Sequence, residues 1–462
     1  MNPAAERMIR LIRKFIPALV LFILGSLLAA YLVPKEWAQM IWEIPGSPDA
    51  YPLAQKMRPY LLLAGCYLPA FGAIVYGFMG TMDRYISRCF ISSFLLCTAI
   101  LTLIWLLADF TDNMERFRNN FDDPLTGAGI FYGTQLPMVL NLILPYTLLM
   151  GTMWALSKLS GSSEITGMLQ SGRSLIRLCI PIFFYSLLVA AFYGICTYQW
   201  APGASMYRQV MIRGNNTKNK NQDESKQLIY KNETDNRIWC IGDAPDIMHP
   251  GDPLRNVTVE QFSTPGKLAY KLFADEAVWD SKKSLWTFRN AIFRRHTDTD
   301  DIPVFDPEPE HSITRDYPEK PFQLITPKQR IDTLGTPAIL ESLDSHSNSR
   351  DVRFNLRTEL HTRTAKIFTC LILVAIAIPS AITFQRRTPM KGIGIAILLA
   401  ALLLVIYEGT TTLGSSGYLP AWLAAWLPNI VYTGIAIHLY STQLAHRSIL
   451  ECLRSKWEAR KH

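Results

Sequence analysis

The residues able to do chemistry in this 462-residue chain are few and scattered. Glu408 is the one acid well inside an apolar run, where an ionisable side chain is a candidate contact for a lipid headgroup or a neighbouring subunit. Asp109 closes another apolar run and is followed by Asp112, Glu115, Arg116 and Arg118, read as a charged turn whose arginines could meet phosphate groups. Glu359 and Arg363, beside His361, have the i, i+4 spacing of a helix-face ion pair. The stretch GTTTLGSS at 409–416 has the glycine spacing of a phosphate loop but lacks its lysine, so ATP hydrolysis by this chain is not expected. The histidines stand singly, without HExxH, a paired-cysteine pattern or a G-x-S-x-G elbow, so no metal, cofactor or catalytic residue is expected.

One polar island between two long apolar runs has the form of a docking handle: KLSGSSEITGMLQSGRSLIR, residues 158–177. Ser162 or Ser163 can cap a short helix over about 162–171, Glu164 then sits in its first turn, and Gly172 is placed to end it. Ile165, Met168 and Leu169 fall on one face. A helix of about two turns is too short to be stable alone, so that face must lie against the chain's own helices or a second protein.

The elements that position these residues are membrane spans. Eight runs approach or exceed the ~20 apolar residues that cross a bilayer: Phe15–Val33, Tyr60–Gly80, Cys89–Ala108, Leu136–Ser157, Leu178–Tyr198, Ile367–Phe384, Gly392–Tyr407 (continuing to about Leu413) and Leu419–Tyr440. The basic flanks sort the two sides: Arg7, Arg10, Arg13, Lys14, Arg84, Arg88, Lys158, Arg173, Arg177, Arg386, Arg387, Lys391 and the tail residues Arg447 to Lys461 all fall on one, which the positive-inside rule makes cytoplasmic. Both termini are then inside and the polar block 201–363 outside. The net charge of +8 follows largely from these flanks, and no basic patch with interleaved aromatics suggests nucleic acid. Of eight cysteines only Cys240 lies in the outside block, so no internal disulfide is expected to hold it. The first run is long for a cleaved leader and is read as a span.

Five divisions follow: a two-span hairpin over 1–81, joined by the Pro-bearing loop WEIPGSPDAYP and without visible chemistry; three spans over 82–200; the outside block, 201–363; three spans over 364–445; and a basic tail, 446–462. The fifth run leaves the membrane at YQWAPGA. Alternation at Gln227–Lys231, Arg237–Ile241, Asn256–Ser263, Lys267–Phe273 and Leu285–Arg294 marks the outside block as β, a sandwich or jelly roll, with Asp298–Lys320 as a loop and PAILESL as a short helix.

Taken in order, DRYISR (83–88), LSGSSEITGMLQSGRS (159–174), YQWAPGA (198–204), ELHTRTAKIF (359–368), RRTPMKGIGIA (386–396) and GYLPAWLAAWLPN (417–429) resemble the LptF/LptG (YjgP/YjgQ) permease family of lipopolysaccharide export, over about 82–445. The resemblance implies a polytopic helical membrane protein of the bacterial inner membrane, with six permease spans and a periplasmic jelly-roll-like domain, to which 1–81 is an addition. It implies a half-transporter paired with a second LptF/LptG-type permease, an LptB-type ATPase dimer that binds the ATP and Mg, and a bitopic LptC-type protein, with lipopolysaccharide as cargo. The 158–177 segment then matches the coupling helix, with Glu164 as the acid that engages the ATPase and Ile165, Met168, Leu169 and Arg173 around it. Cys89–Ala108 and Gly392–Leu413 would line the lipid cavity, making Asp109, Arg116, Arg118 and Glu408 lipid-path candidates. Some members have a lysine where this chain has Asp109. The other reading open at this point is a membrane-anchored periplasmic interaction protein without transport.

Overall fold

The computed structural model describes residues 3–43, 51–120, 124–213, 228–232, 235–245, 251–264, 267–280, 285–295, 304–305, 310–319, 321, 324, 331–344, 350–382 and 390–444. Arg386, Arg387 and the basic tail lie outside them, and the side chains of Arg7, Arg10, Arg13, Lys14, Arg116, Arg118 and Lys391 are not described.

Eight helices among the described residues are long and apolar enough to cross a membrane. The first pair, α1 (Pro3–Glu43) and α2 (Leu53–Phe78), packs as a hairpin. Then come α3 (Thr81–Asn120), α4 (Pro124–Gly161), the seven-residue α5 (Glu164–Gln170) and α6 (Leu175–Ile195). A π-helical turn, Cys196–Trp200, leads directly into α7 (Ala201–Arg213). After the sheet the chain returns through a 3-10 turn (Ile331–Thr333), α8 (Thr336–Asp344), α9 (Arg350–Ala381), α10 (Met390–Ser415) and α11 (Ala421–Leu444). The chain is a polytopic helical membrane protein carrying an antiparallel sheet.

α9 forms the axis of the bundle, packed by α4, α6, α10 and α11. Its Cys370, Val374, Ala377 and Ile378 are buried with Leu148 and Leu156 of α4, Ile182 of α6 and Tyr432 of α11. Because lipid tails are as apolar as leucine, polar links add specificity here. Asn429 donates to the Ala365 carbonyl (2.7 Å) while Thr369 donates to Asn429 (2.8 Å), which pins α11 to α9.

The sheet has seven antiparallel strands: β1 (Leu228–Asn232), β2 (Arg237–Asp243), β3 (Leu254–Thr264), β4 (Lys267–Asp280), β5 (Leu285–Arg295), β6 (Val304–Phe305) and β7 (Glu310–Arg315), with β6 and β7 both pairing β5. Alternate residues, Trp239, Ile241, Val257, Val259, Leu272, Ala274, Trp286 and Phe288 among them, bury one face, as a period of two requires.

Three expectations are corrected. The charged residues after Asp109 continue α3 to Asn120, because DNMER and its neighbours are compatible with helix and no proline intervenes before Pro124. The outside block read as β from 201 opens instead on a helix: the backbone widens into the π turn at Cys196–Trp200 and runs on into α7, with Pro202 at its second position. The acidic, proline-rich 298–320 segment contains β6 and β7, for which β5 offers an edge to pair with.

Candidate functional site

The 158–177 segment forms a corner of the bundle. α5 turns its Ile165 and Met168 inward, both buried in the helical core, with Leu169 packed beside them. The alternatives left open by the pattern are thereby resolved: this face seats α5 on its own bundle, and Thr166, Gly167, Gln170 and Ser171 form the exposed one. The expected serine cap is not made. Ser163 takes a left-handed backbone (φ 60°) without a side-chain cap, and the Ser162 hydroxyl donates instead to Glu164 Oε1 (2.9 Å) and to the Lys158 carbonyl (3.1 Å). The short link from α4 to α5 turns so tightly that Ser163 cannot hold the extended backbone a side-chain cap uses. Gly172 does end the segment, at φ +85°, with its N–H on the Leu169 carbonyl (3.0 Å).

Two polar links tie this corner to the first turns of α3. The Tyr85 hydroxyl donates to Glu164 Oε2 (2.7 Å), and Arg173 donates to Asp83 (3.2 Å). The DRYISR stretch is thus the seat of the docking segment, with Ile86 buried beneath it. Nothing in the linear pattern pairs residues 79 and 90 positions apart; the signal was an Asp and a Tyr sharing the first turn of a span. Glu164, half-buried, retains acceptor capacity for a cation brought by another molecule.

Further along α3, short of its end at Asn120, Asp109 is buried. It accepts hydrogen bonds from Arg208 of α7 and from the Tyr132 hydroxyl of α4 (3.0 Å), and the guanidinium of Arg208 lies 5.5 Å from the centre of the Trp105 ring. Arg208 escaped sequence reasoning because α7 was not expected to be helical. Glu408 is exposed on α10, among the exposed Leu402, Leu404 and Val405. Asp109 and Glu408 therefore stand in different settings, one enclosed and paired, the other on an exposed apolar surface.

The hairpin, seemingly without chemistry, holds a buried ion pair. Arg58 Nε donates to Glu36 Oε1 (2.7 Å), its NH1 to Gln55 (3.2 Å), and Trp200 in the π turn donates to Glu36 Oε2 (3.3 Å). Tyr198 adds a bond to the Ala54 carbonyl (2.7 Å), so the hairpin is fastened to the π turn.

The expected ion pair of Glu359 and Arg363 is present (2.8 Å), and Arg363 also reaches Thr336 (3.4 Å) and the Ile331 carbonyl (3.5 Å). In the sheet, Arg237 grips the buried Glu319 through both carboxylate oxygens (2.9 and 2.7 Å), Asn232 adds a third bond (2.8 Å), and the guanidinium lies over Tyr317 at 4.2 Å. Burial and the Tyr270 hydroxyl push the Tyr317 phenol well above its ordinary pKa. Among the described residues no group of His, Cys, Asp and Glu could hold a metal.

A family model described as lipopolysaccharide export system permease LptF/LptG matches residues 84–442. Comparison with curated proteins finds no match. The matched span begins inside DRYISR and runs through the α5 corner, the sheet and almost all of α11, leaving the α1–α2 hairpin outside it. The chain belongs to the LptF/LptG family of lipopolysaccharide export permeases.

Proposed function

We propose that this chain is one half of a permease pair that extracts lipopolysaccharide from the inner membrane and passes it to a periplasmic β-jelly-roll bridge. The second half is another LptF/LptG-type permease. A separate LptB-type ATPase dimer binds the ATP and Mg and docks at the α5 corner, and a bitopic LptC-type protein joins at the side. Both termini are cytoplasmic and the sheet is periplasmic, as the basic flanks suggest.

The observation that carries this reading is the α5 corner. A seven-residue helix with its apolar face sealed on the bundle and its acid tied to α3 is a rigid handle, which a mere membrane anchor does not need. In this role Ile165, Met168 and Leu169 seat the handle, Glu164 meets the ATPase, and Arg173 braces it. α3 and α10 present rows of exposed apolar side chains, including Leu96, Ile100, Leu103 and Leu107 on α3 and Leu398 and Leu402 on α10, suited to line a lipid cavity shared with the second permease. At about 0.8 kcal/mol per buried CH₂, a lipid with several acyl chains is held in the bilayer by tens of kcal/mol. It must therefore move from membrane to cavity to sheet without full exposure to water.

The test is co-purification of the tagged chain, wild type beside Glu164→Ala, with identification of protein partners and bound lipid. An ATPase and lipopolysaccharide retained by wild type, with the ATPase lost or its hydrolysis uncoupled from lipid in the variant, is the expected result. No ATPase with wild type overturns the reading in favour of an anchored interaction protein.

A further inference from the structure

α3 is fastened to different elements at two places. At its first turns Tyr85 and Asp83 hold the α5 corner; further along, short of its end at Asn120, Asp109 holds Arg208 of α7. Between them one face of the helix is exposed and the other packs on α4 and α6. Its close approach to α4 is at Phe94, where a Cβ on Gly151 would stand 2.8 Å from the Phe94 Cα. At 1.5 Å per residue this contact lies about 14 Å from Tyr85 and about 22 Å from Asp109.

What Asp109 is fastened to matters. α7 carries the chain outward from the π turn toward β1, and it packs against the 3-10 turn Ile331–Thr333, through which the chain comes back from the sheet. That returning turn is itself held by Arg363 of α9 through the Ile331 carbonyl. Both connections between bundle and sheet thus meet at α7, and Arg208 joins them to α3.

We infer that α3 is a lever pivoting at the Gly151–Phe94 contact, and that Asp109 and Arg208 are the positioning pair that carries its motion from the α5 corner to the stalk of the sheet. The inference rests on the permease reading above and deepens it. It gives Asp109 a mechanical role in place of a lipid contact: with Arg208 and Tyr132 both donating to it, its carboxylate is already engaged. An ion pair suits such a joint because a buried carboxylate cannot leave its arginine without being stranded, so the two helices move together. Tyr132 of α4 adds a bond from the element that supplies the pivot.

The experiment uses the full complex in proteoliposomes containing lipopolysaccharide and compares wild type, Asp109→Asn, Arg208→Gln and the exchange D109R/R208D. The measured quantity is lipid extracted per ATP hydrolysed, with thermal unfolding of each complex followed alongside. Each single variant is expected to lower that ratio by about five-fold or more, and the exchange to restore most of it. Singles that match wild type, or an exchange no better than the singles, overturn the lever; the second outcome is the one a simple lipid contact at Asp109 would give. Should the charge variants not fold, Tyr132→Phe keeps the ring and removes one bond, and a ratio lowered by about two-fold is expected; an unchanged ratio overturns the inference. Absence of any ATPase from the wild-type complex overturns the permease reading itself, and is told apart from failure of the lever by that absence.

Discussion

The two tethers of α3, one at its first turns and one at Asp109, use the same chemistry in opposite settings. At the α5 corner, Arg173 and Asp83 keep about a third of their side-chain surface in solvent (31% and 29%), whereas Asp109 keeps 8%. A half-exposed pair forms and breaks with little change in free energy, because water replaces either partner. A buried carboxylate that loses its arginine has no such replacement, so it stays paired while its surroundings move. The corner pair is therefore the weaker tether of α3 and the pair at Asp109 the stronger one. The hairpin and the sheet side with the pair at Asp109, since Glu36–Arg58 and Glu319–Arg237 are each enclosed.

This contrast can be broken by removing one partner at a time. The largest effect is expected at Glu36→Ala, which strands Arg58 between α1 and α2 and frees Trp200; a loss of about 3–5 kcal/mol should appear as a strongly lowered unfolding temperature in detergent. Glu319→Ala comes next, at about 3 kcal/mol, read by proteolysis of the sheet in the otherwise intact chain. Arg237→Lys at the same site keeps the charge but loses the Nε bond to Gln261 (2.8 Å) and the planar group over Tyr317, so a smaller loss of about 1–2 kcal/mol sharpens the distinction between charge and geometry. Arg173→Ala at the corner should cost at most about 1 kcal/mol, within the scatter of thermal unfolding. The smallest signal is chemical: burial, with the Glu260 carboxylate nearby, pushes the Cys240 thiol above its ordinary pKa. Because the thiolate is the reactive form, Cys240 should label with iodoacetamide more slowly than an unhindered thiol at pH 8, and catch up only as the pH rises.

Much of the architecture is legible in the linear chain because two periodicities carry it. Apolar runs of span length mark the eight long helices, and alternation marks β1, β2, β3 and β5 within two residues of their observed ends but stops β4 at Phe273, seven residues before Asp280. The α5 corner is also legible, since Glu164 begins its helix and Gly172 ends it. Boundaries were less readable where two local signals compete: proline and glycine in YQWAPGA argue for a stop, yet the π turn absorbs them and α7 continues.

The sequence alone determined that the chain crosses the membrane, where β1 to β5 lie, and that a short amphipathic helix with an acid at its start interrupts the spans. These follow from hydropathy and from local backbone preference, which act over a few residues. Only the tertiary structure decided which charges meet. Asp83 with Arg173, Tyr85 with Glu164, Asp109 with Arg208 and Glu36 with Arg58 each join separate helices, as Arg237 with Glu319 joins a strand to a distant loop. A side-chain pair is specified by helix packing, and packing is set by the summed shapes of many apolar contacts, so no spacing along the chain encodes it.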